Sequence, residues 1–320
     1  MILTEKISEL ITEWFANISY PSEPSGLFDP IEYTLRSGGK RLRPALLLAA
    51  VNAFGGDMQS VRNQCIGIEM FHNFTLLHDD VMDNSDVRRG QPTVHRKWNE
   101  NTAILSGDTM LTLATQYICD CPDNKIRQIL DTFNTTALEV YCGQQYDMDF
   151  ENRSDVSVEE YIEMIRLKTS VLLGCALKIG AIMSGADSKS TDAIYNFGVN
   201  LGLGFQLRDD YLDTFGDPLI FGKHLGGDIL NDKKTWLMIM ASNEDTSGVM
   251  EKALQGRYEE NEKISKVTET YRILQLDKRI LELISHYSNL AVRELESLQI
   301  SSDSKRYFIE LIDTLETRMI

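Results

Sequence analysis

Apolar residues recur at three- and four-residue spacing along almost the whole chain, from Ile2 to Ile18, Ile31 to Leu35, Leu42 to Phe54, Val61 to Val81 and Thr102 to Ile118. The period continues from Ile126 to Phe150, Val158 to Leu167, Val171 to Met183, Ala193 to Leu212, Leu230 to Ala241 and through the C-terminal third. That spacing puts one apolar stripe on each segment and predicts a helix for every one of them. No stretch shows the sustained alternation of a half-buried strand. The breaks are short and carry turn chemistry: Gly55-Gly56-Asp57, Cys121-Pro122-Asp123, Ser184 to Asp187 and Ser242 to Gly248. Only Pro122 and Pro218 follow Pro92, so long helices can run unbroken through most of the sequence. With no linker-like segment inside it, the pattern predicts one all-α domain over residues 1–320, a single-domain helical bundle.

Composition narrows the function more than the fold. At 320 residues, 42% hydrophobic and 25% charged, the chain has the make-up of a globular protein and length enough for a large core. A net charge of −16 argues against nucleic acid as a partner, because neutralising phosphates needs a basic excess. Glu5, Lys6, Glu9 and Glu13 break up what would have to be the apolar heart of a signal peptide. The longest apolar stretches, Ala45 to Val51 and Val171 to Leu177, fall far short of the roughly 20 residues that span a bilayer. Five cysteines, an odd number placed mostly inside helical patterns, read as reduced core thiols of a cytoplasmic protein.

One helical segment carries chemistry that packing does not explain. In His78-Asp79-Asp80-Val81-Met82-Asp83, Asp79 and Asp83 lie one turn apart on one face with Asp80 beside them, and His72 lies two turns back. Three carboxylates on one turn repel each other unless a cation sits among them. The same Asp-Asp-x-x-Asp spacing returns at Asp209, Asp210 and Asp213, again in an apolar helical context, so the two clusters read as two walls of one metal site. Mg²⁺ suits such walls, since it takes one or two carboxylates and fills its shell with water and phosphate oxygens. The basic residues gather nearby: Lys40, Arg41 and Arg43 after the double glycine Gly38-Gly39, then Arg88 and Arg89, predict a second anion pocket that uses no metal. Lys168-Thr169 sits between the acidic clusters, and Lys223, Lys233 and Lys234 follow the second.

These stretches resemble the trans-isoprenyl diphosphate synthase family. His78 to Asp83 followed by Arg88-Arg89-Gly90, and Gly204 to Asp213, look like its two aspartate-rich motifs. Gly39 to Pro44, Lys168-Thr169, and Gly222-Lys223 through Gly226-Gly227-Asp228 are similar to its other signatures, in order, from about Gly38 to Trp236. The resemblance implies an all-α bundle around a deep central cavity, usually a homodimer, with the aspartate clusters facing each other across the cavity mouth. It implies Asp79, Asp80, Asp83 and Asp209 as ligands of Mg²⁺ on an allylic diphosphate, with Asp210 and Asp213 supporting that metal site. Arg88, Lys168, Lys223 and Lys233 would then bind substrate on the allylic side, and Lys40, Arg43, His72 and Arg89 would hold isopentenyl diphosphate. Thr169 and Gln206 would face the developing allylic cation.

The implied reaction needs no side-chain nucleophile. The allylic C–O bond ionises, the homoallylic double bond attacks the cation, and a proton is lost to the departed diphosphate. A class I terpene cyclase would have no use for Lys40, Arg43 and Arg89, a non-catalytic partner subunit would be expected to have lost part of an aspartate motif, and a metal buffer would leave the basic pocket without a role. In the resembling family the residues four and five positions before the first motif set product length. Thr75 and Phe74 occupy them here, about 7.5 Å down the helix axis at Phe74, with Phe71 about 12 Å down. They point to a C20 product ahead of C15, with a longer-chain polyprenyl synthase as the alternative.

Overall fold

A computed structural model describes residues 3–217 and 225–317. It is all-helical apart from one minimal hairpin. The elements are α1 (Leu3–Ala16), α2 (Ser25–Arg36), α3 (Leu42–Ala53), a 3₁₀ turn (Met58–Val61), α4 (Arg62–Met82), β1 (Val87–Arg88), β2 (Gln91–Pro92), α5 (Val94–Lys97), α6 (Glu100–Cys119), α7 (Asp123–Glu151) and α8 (Val158–Ile165). A π-helical segment (Arg166–Ser170) leads into α9 (Val171–Met183), followed by α10 (Ser188–Phe215), α11 (Gly227–Leu230), α12 (Trp236–Glu244), α13 (Val249–Leu254), α14 (Glu260–Ile273), α15 (Leu276–Ser297) and α16 (Ser302–Thr317). The helix ends carry the expected chemistry. Asn99 accepts from the Thr102 amide to cap α6, Thr235 accepts from Met238 to cap α12, and Ser157 with Glu160 forms a full capping box at α8.

The chain divides into two compact units, one of Met1–Asn134 with Ala176–Thr191, the other of Thr135–Cys175 with Asp192–Ile320. In the first, α4 packs chiefly along α6, and α3, apolar through its middle, buries Leu46 to Val51. The second centres on Phe150, Tyr161, Leu207, Trp236, Tyr271, Ile280 and Ile284.

Three local features depart from the sequence pattern. The helix expected over Leu230 to Ala241 is broken, since α11 ends at Leu230 and α12 begins only at Trp236. β1 and β2 form a two-residue antiparallel pair, joined by Arg89 and Gly90 at φ of 52° and 76°, the left-handed pair a tight hairpin turn requires. Strands of two residues are too short to show alternation. The helix expected over Val158 to Leu167 is not regular to its end: at Arg166–Ser170 it widens, and the Val171 amide reaches back five residues to the Arg166 carbonyl.

Candidate active site

In the first unit the chemistry sits on α4. Asp79, Asp80 and Asp83 occupy its last turn and C-cap, where the helix dipole already disfavours negative charge. The compensating cation is Arg88, which the hairpin swings back over the helix end. Its Nε donates to Asp80 Oδ1 at 2.7 Å and a terminal nitrogen donates to Asp79 Oδ2 at 3.3 Å. Burial still raises the Asp80 carboxyl above its ordinary range, against the pull of Arg88. Asp83 is exposed. These carboxylates are not gathered into a ready cage: among the described residues, no three His, Cys, Asp or Glu side chains are grouped to hold one ion. The donor set nevertheless fits Mg²⁺. Asp79 and Asp80 share one guanidinium, and a hard cation that needs only one or two carboxylates could take its place.

Two turns earlier on α4 lies a basic cluster built on one buried acid. Glu69, 1% exposed, accepts from Arg41 at 3.1 Å and from the Asn73 amide at 3.3 Å. Arg41 takes a left-handed backbone at φ 47° and also donates to the Leu35 carbonyl, so its side chain is a strut rather than a probe for ligand. Arg89 donates to the Gly38 carbonyl, to Ser37 Oγ at 3.3 Å and to Asn73 Oδ1 at 3.4 Å. Gly39 has to be glycine: a Cβ there would lie 2.8 Å from the Arg89 guanidinium, on a backbone at φ +124°. Arg43 is pushed down to about 10 by burial, partly offset by Glu69, and its Nε is buried without a partner. Removal from water, then Arg43, Arg89, Arg88 and Arg41, hold His72 well below its usual range, hence neutral. Four guanidiniums around one imidazole against a single buried glutamate leave an excess of positive charge, which suits an anion. Lys40 is exposed at the edge of this region.

Phe71 and Phe74 point into an aromatic cluster. Phe71 is fully buried and meets Phe133 edge-on at 5.1 Å, while Phe74 meets His78 edge-on at 4.8 Å. His78 turns to the Ile104 carbonyl at 3.1 Å, so the first residue of the acidic motif serves packing. Thr75 donates to the His72 carbonyl at 2.8 Å.

The second unit holds the other acidic turn on α10. Asp209 is exposed, but Asp210 is 3% exposed and both its oxygens are engaged: Oδ1 accepts from Gln206 Nε2 at 3.2 Å, and Oδ2 accepts from the Tyr161 hydroxyl. Asp213 is engaged as well, its Oδ2 accepting from the Asp228 amide at 3.0 Å and its carbonyl from the Gly226 amide at 2.7 Å. Both oxygens of Asp210 and one carboxylate oxygen of Asp213 are thus engaged by the chain itself. Burial, with Asp228 adding to it, pushes the Asp210 carboxyl up to about 7 against Lys233, Tyr161 and Gln206.

Lys168 and Thr169 lie on the π-helical segment and face a cavity of about 50 Å³ that Asp147, Tyr161, Gln206 and Asp210 also line. Lys168 Nζ donates to Asp147 Oδ2 at 2.6 Å, and Thr169 Oγ1 donates to Gln206 Oε1 at 3.2 Å. The widened turn presses on α7 so closely that a Cβ on Gly143 would come within 2.3 Å of the Lys168 nitrogen. Lys233 is 3.9 Å from Asp228 at the edge of the same region. Lys223 lies outside the described residues.

A sequence profile of the polyprenyl synthetase family matches residues 24–274, which takes in the acidic turns, the basic cluster and the π-helical segment. The chain belongs to this family. As a polyprenyl synthetase it is 37% identical over 319 residues to a geranylgeranyl pyrophosphate synthase of Geoglobus acetivorans, covering 99% of this chain and 96% of that one. It is also 37% identical to a geranylfarnesyl diphosphate synthase of Natronomonas pharaonis, over 76% and 77% of the two chains. Among solved structures, a geranylgeranyl pyrophosphate synthase superposes with a TM-score of 0.94 at 44% identity, over 99% of both chains. The fold is therefore the all-α isoprenoid synthase fold.

Within this polyprenyl synthetase, four residues that the motifs do not single out hold motif side chains in place, two in each unit. Glu69 and Asn73 organise the basic cluster, Asp147 holds Lys168, and Tyr161 holds Asp210. Only Glu69 left a trace in the sequence, as a lone acid inside the apolar run Ile66 to Phe71. Asp147 and Tyr161 meet partners across helices, which spacing cannot reveal.

Proposed function

We propose that the protein is a short-chain trans-prenyl diphosphate synthase that condenses isopentenyl diphosphate with allylic diphosphates, geranylgeranyl diphosphate being its main product. One observation carries this reading: α4 sets a cluster of arginines around neutral His72 two turns before a set of carboxylates bridged by Arg88. A phosphate group bound by guanidiniums and another bound through a metal are the two modes that such a condensation must keep apart. Lys40, Arg43, His72 and Arg89 hold isopentenyl diphosphate, with Glu69 setting the cluster's geometry. Asp79, Asp80, Asp83 and Asp209 hold Mg²⁺, which when bound neutralises the allylic diphosphate and makes it a better leaving group. Arg88 and Lys168 are placed to pass from carboxylate partners to phosphate oxygens, joined by Lys223 and Lys233. The oxygens of Thr169 and Gln206 face the carbon that becomes positive, and the proton lost after carbon–carbon bond formation leaves with the diphosphate.

The profile match runs through both units, which supports one synthase domain over the chain. The C20 assignment rests on Phe74 with Thr75 before the first motif and on relatives named as geranylgeranyl synthases. The geranylfarnesyl synthase of equal identity makes a C25 product the second reading. A homodimer is supported by apolar side chains left exposed, Ile104 and Leu105 on α6 in one unit and Leu138 on α7 in the other. No helix among the described residues is long and apolar enough to cross a membrane, and the free cysteines suit the cytoplasm. Incubating the protein with Mg²⁺, isopentenyl diphosphate and each allylic primer, then chromatographing the dephosphorylated products, tests the reading. C20 alcohol is expected, and no chain elongation with any primer would overturn it.

A further inference from the structure

An amide side chain has two ends of nearly equal shape and opposite polarity. Gln206 can assist a developing carbocation only with its oxygen, since the NH₂ end would repel it. The helix backbone does not choose between them. The choice is made one turn along α10, where Asp210 accepts from Gln206 Nε2 at 3.2 Å and so leaves Oε1 for the Thr169 hydroxyl at 3.2 Å.

A carboxylate that could turn or hydrate would be a poor anchor for that choice. Asp210 is held against both, because its two oxygens accept from Gln206 and from the Tyr161 hydroxyl and the residue is only 3% exposed. Tyr161 comes from α8, is 1% exposed, and is fixed by the core of the second unit. Facing a carboxylate, its hydroxyl acts as donor, and burial together with Asp210 keeps the proton on the phenol.

We propose that Tyr161 is a positioning residue that, acting through Asp210, sets which end of the Gln206 amide faces Thr169 and the reacting carbon. This rests on the assignment of Gln206 to the allylic cation made above. Tyr161 supplies a fixed donor that closes a chain of three hydrogen bonds, Tyr161 to Asp210, Gln206 to Asp210, and Thr169 to Gln206. Removing the first lets the carboxylate rotate or take up water, and Gln206 then samples both orientations. The loss falls on the chemical step, with substrate binding spared.

The test is a double-mutant cycle in the full-length protein with Tyr161→Phe, Gln206→Ala and both together, each checked by thermal melting. Tyr161→Phe should lower kcat about tenfold or more while KM for each substrate stays within about twofold. Added to Gln206→Ala, it should cost nothing further. Full multiplication of the two losses, a change confined to KM, or an unchanged kcat in folded Tyr161→Phe would each overturn the proposal. Should Tyr161→Phe not fold, Asp210→Asn carries the same test. With Tyr161 donating to the asparagine oxygen, its NH₂ faces Gln206 and turns the amide round, so kcat should fall at least as far as in Gln206→Ala. A smaller fall counts against the proposal. Turnover by the wild-type protein tests the parent reading separately, because every comparison here is a ratio to it.

Discussion

At the scale of single residues, the acidic turns differ in how their carboxylates are used. Asp79 is shared with Arg88 and Asp209 is exposed, whereas Asp210 and Asp213 serve the chain itself. Asp79→Asn and Asp209→Asn should therefore each lower turnover on the order of 10²-fold or more with little change in melting temperature. Initial rates at limiting Mg²⁺ beside thermal melts check this, and near wild-type rates would remove these residues from the metal site. His72 gives a pH signature. Its folded value lies well below the ordinary one, so the unfolded chain takes up a proton near pH 6.5 that the folded chain refuses. Stability is fully present above that pH and is lost as pH falls below it towards the folded value. His72→Gln should gain in melting temperature relative to wild type between about pH 7.5 and pH 5.5, and a constant difference would show that His72 is not held neutral. Phe74, buried and in edge contact with His78, is the residue to shorten for product length. Phe74→Ala should lengthen the product at a stability cost of about 3–5 kcal/mol. An unchanged product from a folded, active variant would place the floor on other residues.

At the scale of elements, the hairpin β1–β2 sends two arginines that are neighbours in sequence to different partners. The left-handed turn at Arg89 and Gly90 sends Arg88 to the acidic end of α4 and Arg89 to Ser37, Gly38 and Asn73. Arg89→Ala should raise KM for isopentenyl diphosphate about tenfold and leave the allylic substrate nearly untouched. Steady-state kinetics with each substrate varied decides it, since equal losses for both would mean that the hairpin does not sort the arginines. The main helices were legible in the sequence because burial imposes a 3.6-residue period over ten or more residues. The hairpin was not, being too short to have a period. The π-helical turn was not legible either, because one extra residue in Val158 to Met183 leaves the apolar pattern nearly unchanged. What marks it is contact, the press of Lys168 against Gly143, and that exists only once α7 is in place. The same reason hid Tyr161 and Asp147, whose partners lie 49 and 21 residues away in sequence. The acidic motifs were legible because neighbouring carboxylates on one helix turn form a local pattern that spacing alone displays.

At the scale of the whole molecule, charge and apolar surface oppose each other. A chain of net charge −16 resists meeting its own copy, and 25% charged residues leave ample polar surface to cover its helices. Against that background Leu138 at 65% exposed and Leu105 at 59% are costly to leave in water, and burial in a second copy would stabilise by about 1–2 kcal/mol for each. The balance depends on salt, because the Debye length falls from about 10 Å at 0.1 M to about 3 Å at 1 M while apolar burial does not weaken. Light scattering should give twice the chain mass of 36.3 kDa, with association tightening as salt rises. Leu138→Asp or Leu105→Asp should shift the protein towards the single-chain mass at the same concentration. If both variants keep the doubled mass, the contact surface is built elsewhere, and if the wild type itself runs at 36.3 kDa, the exposed leucines on α6 and α7 have no second copy to cover them.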